Sequence, residues 1–238
     1  IILKNSIIKL EWDSNFFGYN VGKIVISDPK YFNKLEFQSE IENYNLIYVY
    51  SKHEVNINGF KLVDEKVTFS QNLSNLKNIG NEFDKEIRIF NENQDQLNDL
   101  KELAIESGVY SRFNIDKNFS NNEFQKLYNE WILNSLSKKN VFNVFVCLND
   151  DKKIIGFITV GEKTKNTSLI GLIAVKKEAR GMGVAKQLIL KAIQESIKKN
   201  YKEMEVITQE DNLAAMELYK KTNFQIKNKI NIYHFWNL

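Results

Sequence analysis

The sequence predicts a protein of mixed α/β (α+β) class, with a mixed, mostly antiparallel sheet in a larger domain and a smaller α+β unit ahead of it. Three observations carry this expectation. Short apolar, strand-like runs outnumber helical ones and come in turn-separated groups. A polar, weakly periodic stretch from Gln71 to Asn81 interrupts the pattern. Beyond Arg180, a long amphipathic helix follows directly on an apolar strand. The stretch near 71–85 is read as a linker, giving an N-terminal domain over 1–84 and a second domain over 85–238.

Before the linker the patterning predicts strands at Ile7–Trp12 and Val21–Ile26, a short helix near Lys30–Glu42, and strands at Leu46–Tyr50 and Lys61–Phe69. After it come a strand at Glu86–Phe90, a helix at Asp95–Glu106, a polar loop and a helix at Asn121–Ser137. Three strand signals follow, at Asn143–Leu148, Lys153–Gly161 and Ser168–Val175. Asn149-Asp150-Asp151 and Lys163-Thr164-Lys165-Asn166 are hairpin-like loops, so the trio reads as an antiparallel meander. The helix from Gly181 to Lys199 has Ala185, Leu188, Ile189, Ala192, Ile193 and Ile197 on one face, the spacing of a buried stripe. A strand at Glu203–Thr208, a helix at Asn212–Lys221 and a closing pair of strands between Phe224 and Trp236 complete the chain. A faint echo links Asn58-Gly59-Phe60 ahead of Thr68-Phe69 with Thr222-Asn223-Phe224 ahead of Ile232-Tyr233.

Composition narrows the function classes. The 238 residues carry 33 basic and 30 acidic side chains, net +3, too even a balance for a dedicated nucleic-acid binder. Residues 1–84 hold 9 basic and 11 acidic groups against 24 and 19 in 85–238, so an anion is expected to dock in the second part. Cys147 is the single cysteine, which excludes an internal disulfide and a Cys-based zinc site and fits a reducing cytoplasm. No run approaches the ~18 apolar residues of a membrane span, and Ile1-Ile2-Leu3-Lys4-Asn5 is too short and wrongly flanked for a signal peptide. Neither a membrane nor a metal is expected.

The chemistry concentrates in Gly171 to Ala185. There an apolar strand runs into a short loop, two glycines flank Met182, and a helix begins at once. Glycines at 181 and 183 allow backbone angles and a close approach that a Cβ blocks, so successive N–H groups can point into one concavity. At the positive end of a helix, such a concavity receives a phosphate or pyrophosphate, with Arg180 adding a formal charge. An ordinary strand-to-helix turn has the same glycine spacing. A P-loop is excluded, since G-x-x-x-x-G-K-[ST] is absent. A dinucleotide fingerprint fits poorly: the run ends in Lys186 where Gly or Ala is wanted, Glu210 and Asp211 lie too far on, and the upstream strands form a meander.

Arg180-Gly181-Met182-Gly183-Val184-Ala185 resembles the Arg/Gln-x-x-Gly-x-Gly/Ala signature of the GNAT acetyltransferase superfamily. Asn212-Leu213-Ala214-Ala215-Met216-Glu217-Leu218-Tyr219, followed by Asn223-Phe224, looks like that superfamily's Asn-x-x-Ala-x-x-x-Tyr-x-x-x-Gly-Phe element. Asn223 departs from the usual Gly, a mild change because Asn tolerates the left-handed conformation. The resemblance implies a sheet splayed at an acetyl-CoA site, pantetheine contacts from the backbone of Ile173 and Val175, and pyrophosphate contacts from Arg180, Gly181, Met182, Gly183, Val184 and Ala185. It further implies a CoA contact from Asn212 and Tyr219 as general acid to the departing thiolate. Without the motif, Tyr219 reads as a helix aromatic packed in the core.

Acetyl transfer needs a neutral amine. At pH 7 this costs about 4.6 kcal/mol for a lysine and about 1 kcal/mol for an α-amine. The strand at Leu169–Val175 carries no carboxylate, and only Glu162 and His234 offer themselves as bases, so an acceptor of lowered basicity is the easier match. Leu10-Glu11-Trp12-Asp13-Ser14-Asn15-Phe16-Phe17-Gly18 resembles the opening of dTDP-fucosamine N-acetyltransferases. Ser107 to Phe113 and Tyr128 to Ile132 are similar pieces. That resemblance implies an acceptor amine on a nucleotide-linked 4-amino-4,6-dideoxyhexose, and a homodimer is expected as a possibility. Arg112, one of three arginines among 33 basic residues, is a candidate clamp for the nucleotide diphosphate, with Tyr110 and Phe113 as further candidate acceptor contacts. The alternatives are a GNAT enzyme for another amine (a protein N-terminus, a polyamine or an antibiotic) and a non-catalytic acyl-CoA-binding module.

Overall fold

In the computed structural model, which describes residues 6–76, 84–137 and 141–237, the chain divides into two units. The first comprises 1–67, 209–211 and 228–238; the second comprises 68–208 and 212–227. The boundary therefore falls inside three strands. Of the stretch read as a linker, Gln71 and Asn72 belong to a strand and 77–83 lie outside the described residues.

In the first unit, β1 (Ile8–Lys9) pairs antiparallel with β2 (Val21–Ile26), and β2 runs parallel to β3 (Leu46–Ser51). The strand expected at Ile7–Trp12 stops at Lys9, and α1 (Glu11–Phe17) takes over. Ser14 explains the switch. Its Oγ donates to the Leu10 carbonyl at 2.7 Å and accepts from the Val21 amide at 2.9 Å, while Gly18 ends the helix at φ 78°. The helix expected at Lys30–Glu42 is α2 (Lys34–Glu40) flanked by 3-10 turns, with Asn33 accepting from the Glu36 amide. Ile24, Ile26, Phe37, Ile47, Val49 and Tyr233 form this unit's core.

β4 (Lys61–Asn72) is longer than expected, and the closing pair of strands is instead one strand, β10 (Gln225–Trp236), antiparallel to β3. No Gly or Pro interrupts β10, so nothing turns the chain back. The sequence echo has a structural counterpart. Gly59 (φ 88°) and Asn223 (φ 67°) are each left-handed, each precedes a phenylalanine, and each opens a strand of 12 residues.

In the second unit, β6 (Val141–Leu148), β7 (Ile154–Thr164) and β8 (Thr167–Val175) form the expected antiparallel meander, β5 (Glu86–Ile89) pairs antiparallel with β6, and β8 runs parallel to β9 (Glu203–Gln209). α3 (Leu97–Ser107) and α5 (Glu123–Leu136) contribute Leu100, Leu103, Ala104 and Ile132 to a core with Val144, Val146, Phe157 and Ala174. α4 (Arg112–Ile115), read as polar loop, is a single turn capped by Ser111. α6 (Val184–Lys198) buries Leu188, Ile189, Ala192 and Ile193 as its stripe predicts, and adds Val184 and Ser196. α7 (Leu213–Lys221) precedes β10. Among the described residues no helix is long and apolar enough to cross a membrane.

Tyr128 is wedged between Phe124 and Trp131, with ring centroids at 5.0 and 4.8 Å, and a Cβ on Gly108 would stand 2.2 Å from its Cζ. A rigid ring held on two sides cannot yield cheaply. Gly108→Ala is therefore expected to lower unfolding stability by about 1–3 kcal/mol, read from the urea midpoint.

Candidate functional site

The register between β8 and β9 runs from Thr167↔Glu203 to Ile170↔Val206 and ends there, although each strand continues. Beyond Ile170 only β7 pairs with β8, setting Ile173 opposite Ile158 and Val175 opposite Gly156. The two parallel strands thus part after four pairs, and among the described residues no strand pairs with the β9-facing edge of 171–175. Thr159 marks the opening. The register of β7 slips between Ile158 and Val160, and Thr159 Oγ1 accepts from the Leu172 amide at 2.8 Å. A Cβ on Gly171 would stand 2.7 Å from that same oxygen.

β8 leads through a 3-10 turn (Lys177–Ala179) into the glycine loop. Gly181 and Gly183 both have φ 78°, and a Cβ built on either meets no protein atom within 4 Å. Their side of the loop is open space that a side chain would enter. Gly183 is also the N-cap of α6 and offers no side chain to cap it, so the first-turn amides from Val184 onward have no intrahelical acceptor. Gly156 seats this helix mouth. A Cβ there would meet Val184 Cγ1 at 3.0 Å and Leu188 Cδ1 at 3.2 Å, so its absence lets the first turns of α6 press onto β7. Open space, positive φ and uncapped amides together fit a diphosphate.

The remaining candidates have more specific surroundings than the sequence discloses. The Arg180 guanidinium is turned back, with Nε donating to the Val175 carbonyl at 3.2 Å and Nη2 to Glu106 Oε1 on α3. Met182 is exposed. Asn212 is the N-cap of α7, its Oδ1 accepting from the Ala215 amide at 3.2 Å. Tyr219 is 2% exposed and packs on Phe69 and Phe224, at 5.5 and 6.0 Å between centroids. Burial alone pushes its phenol well above the usual value, so it holds its proton throughout the neutral range.

Arg112 opens α4 with its guanidinium over the Phe113 ring at 4.4 Å. Phe113 is buried beside Phe119 and Trp131, whereas Tyr110 is partly exposed. Of the two candidate bases, Glu162 accepts from the Tyr201 hydroxyl at 2.7 Å, and His234 belongs to the first unit, buried against Tyr48 at 5.1 Å. Cys147 is buried and its thiol is pushed up to about 11 by that burial, which leaves it unreactive. Among the described residues no three metal-ligating side chains converge.

Two features escaped the sequence reading. Glu205 on β9 is almost wholly buried; burial alone would raise its carboxyl, but Lys163 and Lys227 outweigh it and hold the group below its ordinary value. A polar groove of about 670 Å³, lined by Gln71, Asn72, Asn166, Thr167, Lys202 and Glu203 among others, opens at the start of β8, the opposite end from the glycine loop.

Residues 100–224, just over half of the chain, match the Acetyltransferase (GNAT) family. The chain belongs to that family. The parted strands and glycine loop of this GNAT chain lie inside the matched span. A functionally unknown conserved protein from Staphylococcus epidermidis ATCC 12228 aligns over 99% of this chain and 96% of its own, at TM-score 0.68 and 12% identity. A GCN5-related N-acetyltransferase from Sphaerobacter thermophilus aligns over 90% and 72%, at TM-score 0.56 and 14% identity. At such identities the likeness is one of fold. The uncharacterized protein YxbD of Bacillus subtilis (strain 168) is 34% identical over 79 residues, 33% of this chain. The match takes in about half (48%) of that relative's length.

Gly183→Val places a branched side chain at φ 78° and in the open space of the loop. Titration calorimetry with coenzyme A is expected to show affinity falling by more than about tenfold, with unfolding stability lowered by only about 1–2 kcal/mol.

Proposed function

We propose that this protein is an acetyl-CoA-dependent N-acetyltransferase acting on the amino group of a nucleotide-linked amino sugar, of the dTDP-4-amino-4,6-dideoxyhexose type. The observation that carries the donor half is the parting of β8 and β9 after Ile170, beside a helix mouth opened by two left-handed glycines. In this reading the edges of Ile173 and Val175 bind the pantetheine amides, and the amides of 181–185 bind the diphosphate. The acceptor half rests on the chemistry of this chain. β8 has no carboxylate, Glu162 is engaged by Tyr201, and His234 is buried against Tyr48, so these groups offer little to deprotonate a strongly basic amine. An amine on a sugar carbon beside oxygen substituents is less basic than lysine. Arg112 supplies a planar cation for the acceptor's diphosphate, and Tyr110, two residues earlier in the chain, an exposed ring.

The transfer is a direct attack. The neutral amine nitrogen bonds to the acetyl carbonyl carbon, the carbon–sulfur bond breaks, and the Tyr219 phenol gives its proton to the departing sulfur. The proton lost by the amine leaves through water and restores the phenol. A phenol raised by burial suits this role because it stays protonated at working pH. Tyr219→Phe separates the two roles of the ring: packing survives and the proton is lost. We expect kcat to fall by about 100-fold with the affinity for acetyl-CoA and the melting temperature nearly unchanged. A simultaneous loss of stability with kcat intact would assign Tyr219 to packing alone.

The same reading fixes the pH profile. A raised phenol pKa means the protonated donor persists as pH climbs, so no alkaline decline arises from Tyr219 up to pH 10. The rate is expected to rise with pH and level off as the acceptor amine, near pH ~8, becomes neutral. The substrate is tested by incubating dTDP- and UDP-linked amino sugars, polyamines and an N-terminal peptide with acetyl-CoA and looking for the mass gain of one acetyl group. Acetylation of peptide or polyamine alone would move the protein to the alternative acceptors. Coenzyme binding with no turnover on any amine would make it an acyl-CoA-binding module.

A further inference from the structure

The 3-10 turn that leads into the glycine loop is pinned to α3 at both of its ends. Lys176 Nζ lies 3.5 Å from Asp99 Oδ1, and Arg180 Nη2 meets Glu106 Oε1. Asp99 and Glu106 are seven residues apart, two turns of helix, and so share one face of α3. Arg180 is the more telling of the two. Its guanidinium spans from the last carbonyl of β8 to the last turn of α3, which neutralises the one formal charge inside the diphosphate motif. Both groups are partly exposed, the side chain of Arg180 by 56% and that of Glu106 by 33%, so the pair is free to exchange partners. Glu106 also stands just ahead of the turn where Gly108 N–H bonds to the Ile105 carbonyl and Ser111 N–H to Gly108, the turn that carries Tyr110 and feeds Arg112 into α4.

We propose that Glu106 is a positioning residue, a resident counter-ion that competes with the coenzyme's diphosphate for Arg180. This rests on the reading of the glycine loop as the diphosphate site. With no coenzyme, the ion pair holds the end of α3 against the loop. When the diphosphate arrives, Arg180 changes partners, Glu106 is released, and the last turn of α3 with the 108–112 turn loosens. Donor binding is thereby coupled to the segment holding the candidate acceptor residues, through one side chain with two discrete arrangements. The coupling is reciprocal, so an acceptor that favours the released turn raises affinity for the coenzyme by the same factor.

Glu106→Gln keeps the shape and removes the competing charge. Calorimetric titration with coenzyme A is expected to give binding about three- to fivefold tighter than wild type at low salt, the worth of one partly exposed ion pair. Amide hydrogen exchange over 103–112 is expected to quicken in the wild type when coenzyme A is added, and to be already fast in Glu106→Gln without it. Equal or weaker binding by Glu106→Gln, or exchange in the wild type that slows or does not change, overturns the proposal. If Glu106→Gln fails to fold, Arg180→Gln serves instead, with fast exchange over 103–112 expected in the presence and absence of coenzyme A. Slow exchange in that variant also overturns it. Should the wild type take up no coenzyme A at all, the diphosphate reading itself has failed. Wild-type binding with an unresponsive Glu106→Gln removes this inference alone.

Discussion

The site depends on a failure of pairing. Two parallel strands that stay in register must satisfy each other's backbone groups; β8 and β9 do so only from Thr167 to Ile170, and beyond that neither pairs with the other. An edge left open inside a sheet is a liability unless something is meant to lie along it. The bulge at Thr159 and the missing side chain of Gly171 are the local means by which β8 tolerates the bend, since Thr159 Oγ1 takes over as acceptor for the Leu172 amide. The same strand delivers the chain to the glycine loop. Opening and cradle are therefore joined by one short run of chain, from Ile170 through the end of β8 at Val175 and the 3-10 turn to Gly181.

Much of this was legible because it is written locally. The meander follows from apolar runs and their turns, the buried face of α6 from its spacing, and the left-handed residue at 223 from an asparagine standing where glycine is usual. Errors arose where a side chain far away or a neighbouring element decides the outcome. Ser14 turns Leu10–Phe17 into a helix by bonding to Val21, and no periodicity in that segment announces it. β10 was expected as two strands although no Gly or Pro lies within it, and β3 pairs with its second half, Asn231–Trp236.

The candidate site divides along the same line. Glycines and helix mouth are properties of short segments and were read directly, whereas the strand edge at Ile173 and Val175 came only with the resemblance to the GNAT superfamily. The partner of Arg180 was not, because Glu106 is 74 residues away and only packing of α3 against the loop brings them together. Asn212 shows the converse: its residue type signalled importance, and its side-chain oxygen caps α7. Phe113 was a candidate contact by position and is a packed ring by burial. Residue type and spacing indicate which chemistry is available, while tertiary packing determines which groups remain free to use it.

The most direct test of the account follows backbone amide resonances while coenzyme A is titrated into the isotopically labelled protein. The account predicts that the largest shifts fall on 172–175 and 181–186, the free strand edge and the helix mouth. Shifts gathered instead around Gln71, Asn166 and Lys202, at the polar groove on the far end of β8, would contradict it.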